Sequence, residues 1–274
     1  MSNTTDSGSK AMSTAGSVDL EIADGVGWIT INNPARRNAL SVAMMETLHE
    51  RLRDLDADGQ VCAVVIRGAG DRAFASGVDI SEFEGQQESA AAQERFDTAT
   101  ASVFGILREL RITSIAMIHG YCLGGGLAVA LGTDIRIAAE GASFAIPAAR
   151  LGLGYPMTNT EALVSLVGPA MAAEILYTAR RLDSSEAERI GLVNRIVPTA
   201  ELDGAVRELT AAISANAPLT IAAAKASIRS IMRPEDEQRA ADARAAIARC
   251  GASEDFREGQ RAFMEKRSPR FTGR

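Results

Sequence analysis

The stretch "GYCLGGGLAVALGTDIRIA", Gly120 to Ala138, decides the fold. Three consecutive glycines, Gly124, Gly125 and Gly126, stand between a strand-like run, "SIAMIHG", and an apolar helix-forming run. A strand that ends in a glycine-rich turn and opens into a helix aims main-chain N–H groups forward, because the first N–H groups of a helix have no intrahelical partner. The helix dipole adds partial positive charge at the same end. The helix behind the turn offers only Leu, Ala and Val, so the chemistry expected here belongs to the backbone. The three glycines raise the question of what comes so close to the backbone that a Cβ would crowd it. The dinucleotide fingerprint GxGxxG is not matched.

A second turn of small residues, "AFASGVDI" (Ala73 to Ile80), follows the β-branched run "VCAVVIRGAG" (Val61 to Gly70). Two N–H groups converging from two such turns make an oxyanion hole. Further out, "GVGWITIN" (Gly25 to Asn32), "SIAMIHG", "DIRIAA" and "ASFAIP" read as strands. "SVAMMETLHERLRDLDA", with Met45, Leu48, Leu52 and Leu55 at helical spacing, and "AAAQERFDTATASVFGILREL" read as helices. Strands alternating with helices predict an α/β fold. From about Pro156 onward the pattern turns helical, and no Gly/Ser linker marks a boundary. The expected division is a disordered polar tail over 1–17, a core over 18–200, and a helical region over 201–274 that takes part in oligomerisation.

Composition narrows the class. Of 274 residues, 46% are hydrophobic and 23% charged, with a formal net charge of −6, and the sequence pI is about 5.2. That acidic balance argues against nucleic acid as a partner and against a basic membrane-surface patch. Local cations and backbone N–H groups still suffice for an anionic small ligand. Three dispersed cysteines, Cys62, Cys122 and Cys250, fit a reduced compartment. With two histidines, His49 and His119, there is no cluster to build a zinc site, so no metal is expected. The N-terminus lacks a basic region followed by an apolar stretch, and no run reaches the ~20 apolar residues of a membrane span. The expected location is cytoplasmic, with no membrane partner.

Taken in order, "NNPARRNAL", "AFASGVDI", "GYCLGGGLAVALGTDIRIA", "FAIPAARLGLGYP" and "GLVNRIVP" resemble the crotonase superfamily, the enoyl-CoA hydratase/isomerase group. The resemblance runs from Val18 to "EGQRAFMEKRSPRF" near the C-terminus. It implies a crotonase-like spiral of ββα turns with a helical C-terminal extension. It also implies a homotrimer or dimer of trimers, an acyl-CoA thioester as partner, and no cofactor beyond the coenzyme A of the substrate. The shared device is an oxyanion hole for a thioester enolate, whose donors here would be the N–H groups of Val78 and Gly125. Coenzyme A contacts would fall on Arg36, Arg37 and Ala39, and on Ala75, Ser76, Asp79 and Ile80. Lys266 would add a phosphate cation, from the same or a neighbouring subunit. Ser81 stands where the family often has a phosphate-binding lysine.

The chain departs from the family at the acid–base positions. The two glutamates that flank the water in family hydratases are replaced by Ala128 and Ala148, and Pro156 occupies the aspartate position of dienoyl isomerases. Alanine moves no proton. The candidate catalytic substitutes are Tyr155 and Glu161, with Thr158, Asn159, His119, Glu82 and Glu84 behind them. Cys122 reads as a small buried hydrophobe. Three outcomes stay open. One is an acyl-CoA enzyme of the hydratase/isomerase type. Another uses the same hole for decarboxylation of a malonyl-type CoA, or for thioester or β-diketone hydrolysis. The third is a non-catalytic acyl-CoA-binding paralogue.

Overall fold

The computed structural model describes residues 16–79, 90–233 and 235–274. The strands are β1 (Ser17–Ala23), β2 (Val26–Asn32), β3 (Ala63–Gly68), β4 (Ala73–Ala75), β5 (Thr113–Ile118), β6 (Tyr121–Leu123), β7 (Ile135–Ala139), β8 (Ser143–Ala145), β9 (Leu182–Asp183) and β10 (Arg195–Val197). The helices are α1 (Val42–Ala57), α2 (Ala90–Glu109), α3 (Gly125–Gly132), α4 (Ala148–Leu151), α5 (Met157–Thr178), α6 (Ser184–Arg189), α7 (Leu202–Ser214), α8 (Pro218–Ile231), α9 (Glu237–Ala252) and α10 (Glu254–Glu265).

Two sheets share the strands by alternation. One has the order β1-β2-β3-β5-β7-β10 and the other β4-β6-β8-β9. From β2 to β10 the first sheet is parallel, and β4, β6 and β8 are parallel in the second. The pairs β3/β4, β5/β6 and β7/β8 each send one strand to each sheet before the chain enters a helix. That repeat is the expected spiral of ββα turns.

The large sheet is buried on both faces, as a parallel sheet requires. Ile29, Ile31, Val64 and Ile66 point toward α1 and α2 and join the main core. Their neighbours Trp28, Val65, Ile115 and Ile137 point the other way and pack against Leu202 and Val206 of α7. This period of two places adjacent residues in different cores. α7, which the expected division at residue 200 assigns to the helical region, covers one face of the spiral's sheet. At the other end, Ser17 pairs with Asn32. The segment 1–15 lies outside the described residues.

α1 starts where its sequence says it should: Ser41 Oγ accepts from Met44 N at 3.1 Å, and Met44, Met45, Leu48, Leu52 and Leu55 are buried. The run from Met157 to Thr178 is continuous except at Gly168 (φ 76°, ψ 163°), followed by Pro169. Among the described residues α5 alone has the length and apolarity of a membrane span, but the chain's own core buries little of it. The last residues fold back: Asp255 accepts from Thr272 N at 2.7 Å and Gly273 N at 2.9 Å. Met157, Ile228, Ile231, Phe263 and Met264 leave apolar surface exposed on α5, α8 and α10.

Candidate active site

Two loops meet beyond the ends of β4 and β6. The first, after β4, runs alongside Leu40. Leu40 N donates to Gly77 O (2.8 Å) and Asp79 N donates to Leu40 O (2.9 Å). In extended backbone, successive amides point to opposite sides, so the Val78 N–H points away from Leu40. It has no acceptor among the described residues. The second loop follows β6 and opens α3. The Gly125 N–H, the first of that helix, also has no acceptor among the described residues. A Cβ placed on Gly125 would lie 2.9 Å from Val78 Cγ2 and 3.4 Å from Val78 N. The two amides are therefore neighbours, both unused by the fold among the described residues.

The three glycines have three different reasons. Gly124 adopts φ 51°, ψ −118°, which side chains disfavour. On Gly126 a Cβ would strike the Ala75 carbonyl and come within 2.7 Å of Ala75 Cβ. Only Gly125 keeps space open beside the Val78 amide. Gly124 and Gly126 are explained by backbone conformation and protein packing instead.

Ala128 lies on α3 one turn beyond Gly125 and is buried. Ala148 opens α4, and that segment is held beside the glycine turn by Gly124 N donating to Ala145 O at 2.8 Å. Ala128 and Ala148 thus flank the glycine turn, and neither carries a titratable group. Tyr155 follows α4, and its hydroxyl is buried without a hydrogen-bond partner. Burial pushes the phenol well above its ordinary value, and the nearby Cys122 thiol adds to the shift. Tyr155 therefore stays protonated, able to donate but not to act as a base. Cys122 is fully buried and its thiol is pushed upward by burial alone, as a small core residue should be. His119 Nε2 is a second buried atom without a partner, and burial lowers that imidazole's pKa.

The coenzyme A positions expected on the two loops form a clamp. Arg36 Nη1 pairs with Asp79 at 2.6 Å. Ser76 donates from N to Arg37 O and from Oγ to Arg36 O, both at 3.0 Å. Ala39 has its N–H on Arg36 O and its carbonyl on Asn33 Nδ2. Ala75 is fully buried beneath Gly126. Arg37 is exposed and stacks over Tyr121, 5.2 Å from the ring centroid. Ile80, with Ser81, Glu82 and Glu84, lies outside the described residues. Sequence reasoning missed Asn38, whose side chain donates to Ala69 O and Ala73 O and accepts from Asn33 N. It adopts φ 57°, a region Asn tolerates better than most residues, so the residue type itself, in "RRNAL", was the available signal.

Two candidates sit elsewhere. Glu161, a catalytic candidate from the sequence, is ion-paired to Arg233 and Arg108, each at 3.0 Å. It lines a cavity of about 160 Å³ with Glu109, Arg229 and Arg239. Hydrogen bonds from Arg233 and then Arg108 outweigh burial and hold its carboxyl below the usual range. A carboxylate so held is a tie between α2, α5 and the end of α8, not a free acid. Lys266 caps α10 in the left-handed region with an exposed side chain, and no contact among the described residues joins it to the two loops. No group of three or more His, Cys, Asp or Glu side chains is placed to hold a metal among the described residues.

A ββα spiral presenting two unused amides from adjacent turns defines a crotonase-superfamily protein. The chain belongs to the enoyl-CoA hydratase/isomerase family: the family model described as "Enoyl-CoA hydratase/isomerase" matches residues 21–274. It is 34% identical over 250 residues to a short-chain-enoyl-CoA hydratase of Clostridium acetobutylicum, covering 91% of this chain and 95% of that one. It is 33% identical to a crotonyl-CoA hydratase of Syntrophomonas wolfei, with 92% and 96% covered. A crystal structure of an enoyl-CoA hydratase/isomerase family protein from Hyphomonas neptunium superposes with a TM-score of 0.86 at 35% identity, covering 94% of this chain and 98% of that one.

Proposed function

We propose that the protein acts on an acyl-CoA thioester, with the carbonyl oxygen held between the N–H groups of Val78 and Gly125. The observation that carries this reading is that both amides are free of the fold and adjacent, with only hydrogen on Gly125 between them. As charge builds on the oxygen of an enolate, preorganised donors stabilise it without having to reorient. Coenzyme A enters as part of the substrate. The exposed apolar faces of α5, α8 and α10 support a homo-oligomer, a trimer or pair of trimers, as the working assembly.

Which reaction the hole serves is argued from Ala128 and Ala148. Adding water across an enoyl double bond requires groups that activate the water and protonate C2, and neither alanine does so. Decarboxylation of a malonyl-type thioester fits better. The C2–carboxylate bond breaks, its electron pair passes into the thioester as the enolate held by the two amides, and carbon dioxide leaves. C2 then takes up a proton. Tyr155, kept protonated by burial, is the donor proposed for that last step. Thioester hydrolysis remains the second use of the same hole.

Two measurements test this. Acetoacetyl-CoA, which ionises at C2, should develop its enolate absorbance on binding the protein, and Gly125→Ala should abolish it. Turnover of malonyl- or methylmalonyl-CoA should exceed hydration of crotonyl-CoA. Efficient crotonyl-CoA hydration would overturn the decarboxylation reading, and absence of any enolate signal would overturn the hole.

A further inference from the structure

The far end of α3 closes a cavity of its own. Gly132 lies roughly 10 Å along the helix axis from Gly125, and it walls the cavity of about 160 Å³ that also holds Glu161. The charges there are almost fully paired. Glu161 holds Arg108 and Arg233, and Glu109 holds Arg239. Asp134 holds Lys225 behind the wall at 2.6 Å, and Asp236 takes a second contact from Arg239. Arg229 is the exception, with no carboxylate within 4 Å among the described residues. Its Nη2 donates to the Leu110 carbonyl at 2.7 Å. Its Nε and Nη1 have no acceptor among the described residues and are not sealed by protein. Burial lowers the Arg229 pKa, and Asp134 and Glu109 at longer range only partly offset that.

A half-buried cation without a counterion carries a desolvation cost that no ion pair offsets. A guanidinium fork takes a carboxylate in the plane of its N–H groups. The wall beside it is apolar: Leu107 and Leu131 are buried, and Ala162 and Met232 lie along the same cavity. An alkyl tail gains by leaving water for such a wall, and an inorganic anion does not. At about 30 Å³ per water the volume equals roughly five waters, room for a carboxylate of about four carbons. We propose that this cavity binds a short-chain carboxylate, with its charged end on Arg229 and its tail against Leu107, Leu131 and Met232. The site is separate from the two free amides and stands independently of the acyl-CoA reading.

Calorimetric titration with butyrate, butyramide and inorganic phosphate tests this. The proteins are the full chain, Arg229→Gln, Arg229→Lys and Ala162→Leu, with melting temperature recorded for each. Butyrate should bind the unaltered chain, and butyramide, of the same shape without the charge, about tenfold or more weakly. Arg229→Gln should weaken butyrate by a similar factor, and Arg229→Lys should recover part of the loss. Ala162→Leu keeps every charge and fills the cavity, so it too should weaken butyrate about tenfold or more. The enolate absorbance of bound acetoacetyl-CoA should be the same in Arg229→Gln as in the unaltered chain. No butyrate binding up to about 10 mM would overturn the proposal. So would equal butyrate affinity in Arg229→Gln or in Ala162→Leu, or equal binding of butyramide. Phosphate held through Arg229 more tightly than butyrate would leave no role for the tail and overturn it as well.

Discussion

Gly125→Ala separates function from folding. Gly125 lies at the start of a helix with no left-handed backbone, so alanine is conformationally acceptable and even favoured in a helix by up to about 1 kcal/mol. Against this stands the new Cβ at 2.9 Å from Val78 Cγ2, a contact that a few tenths of an ångström of movement relieves. The two effects offset, and the melting temperature should stay near that of the wild type. The same methyl lies 3.4 Å from Val78 N, in the space an oxygen must enter. Loss of one oxyanion donor elsewhere lowers kcat by roughly 10²–10³, and a comparable fall is expected here. The neighbours serve as controls. Gly124→Ala forces alanine to φ 51° and should cost about 1–2 kcal/mol. Gly126→Ala drives a methyl into the Ala75 carbonyl and should cost about 1–3 kcal/mol. The assay is the enolate absorbance of bound acetoacetyl-CoA together with thermal unfolding of all three variants. A Gly125→Ala protein with a full enolate signal would refute the reasoning, as would one whose loss of signal tracks a melting-temperature drop like that of Gly126→Ala.

Tyr155→Phe should leave stability unchanged or slightly raised, since it removes a buried hydroxyl with no partner. It should slow protonation of C2 about 10²-fold, measured as deuterium incorporation into the product. Ala128→Glu with Ala148→Glu should raise crotonyl-CoA hydration by roughly 10² or more, at a cost in stability because Ala128 is buried; unchanged hydration in a folded double variant would contradict the placement of the site. Glu161→Gln should lower stability by about 1 kcal/mol or less at neutral pH, the pair being partly exposed. Because the Glu161 pKa is depressed by Arg233 and Arg108, its contribution is present above the ordinary glutamate pKa and fades as pH falls through the folded value. Urea unfolding of wild type and variant should therefore converge in acid.

The sequence by itself determined the family, the alternation of strands and helices, and the two turns that supply the free amides. Those are local signals: β-branched runs, helical spacing in Met45–Leu55, and glycines that permit a turn. It also settled what is missing, since no fold restores a carboxylate to Ala128 or Ala148. Only the tertiary structure decided the rest. It separated the reasons for Gly124, Gly125 and Gly126, because close approach depends on what the distant Ala75 and Val78 place against them. It gave α7 to the spiral's sheet, because a parallel sheet must be covered on both faces and the chain pattern does not say by what. It tied Glu161 to arginine partners that come from α2 and from just beyond α8. It brought Arg181 to Arg37 across Tyr121, a meeting of three separate segments that no spacing along the chain announces.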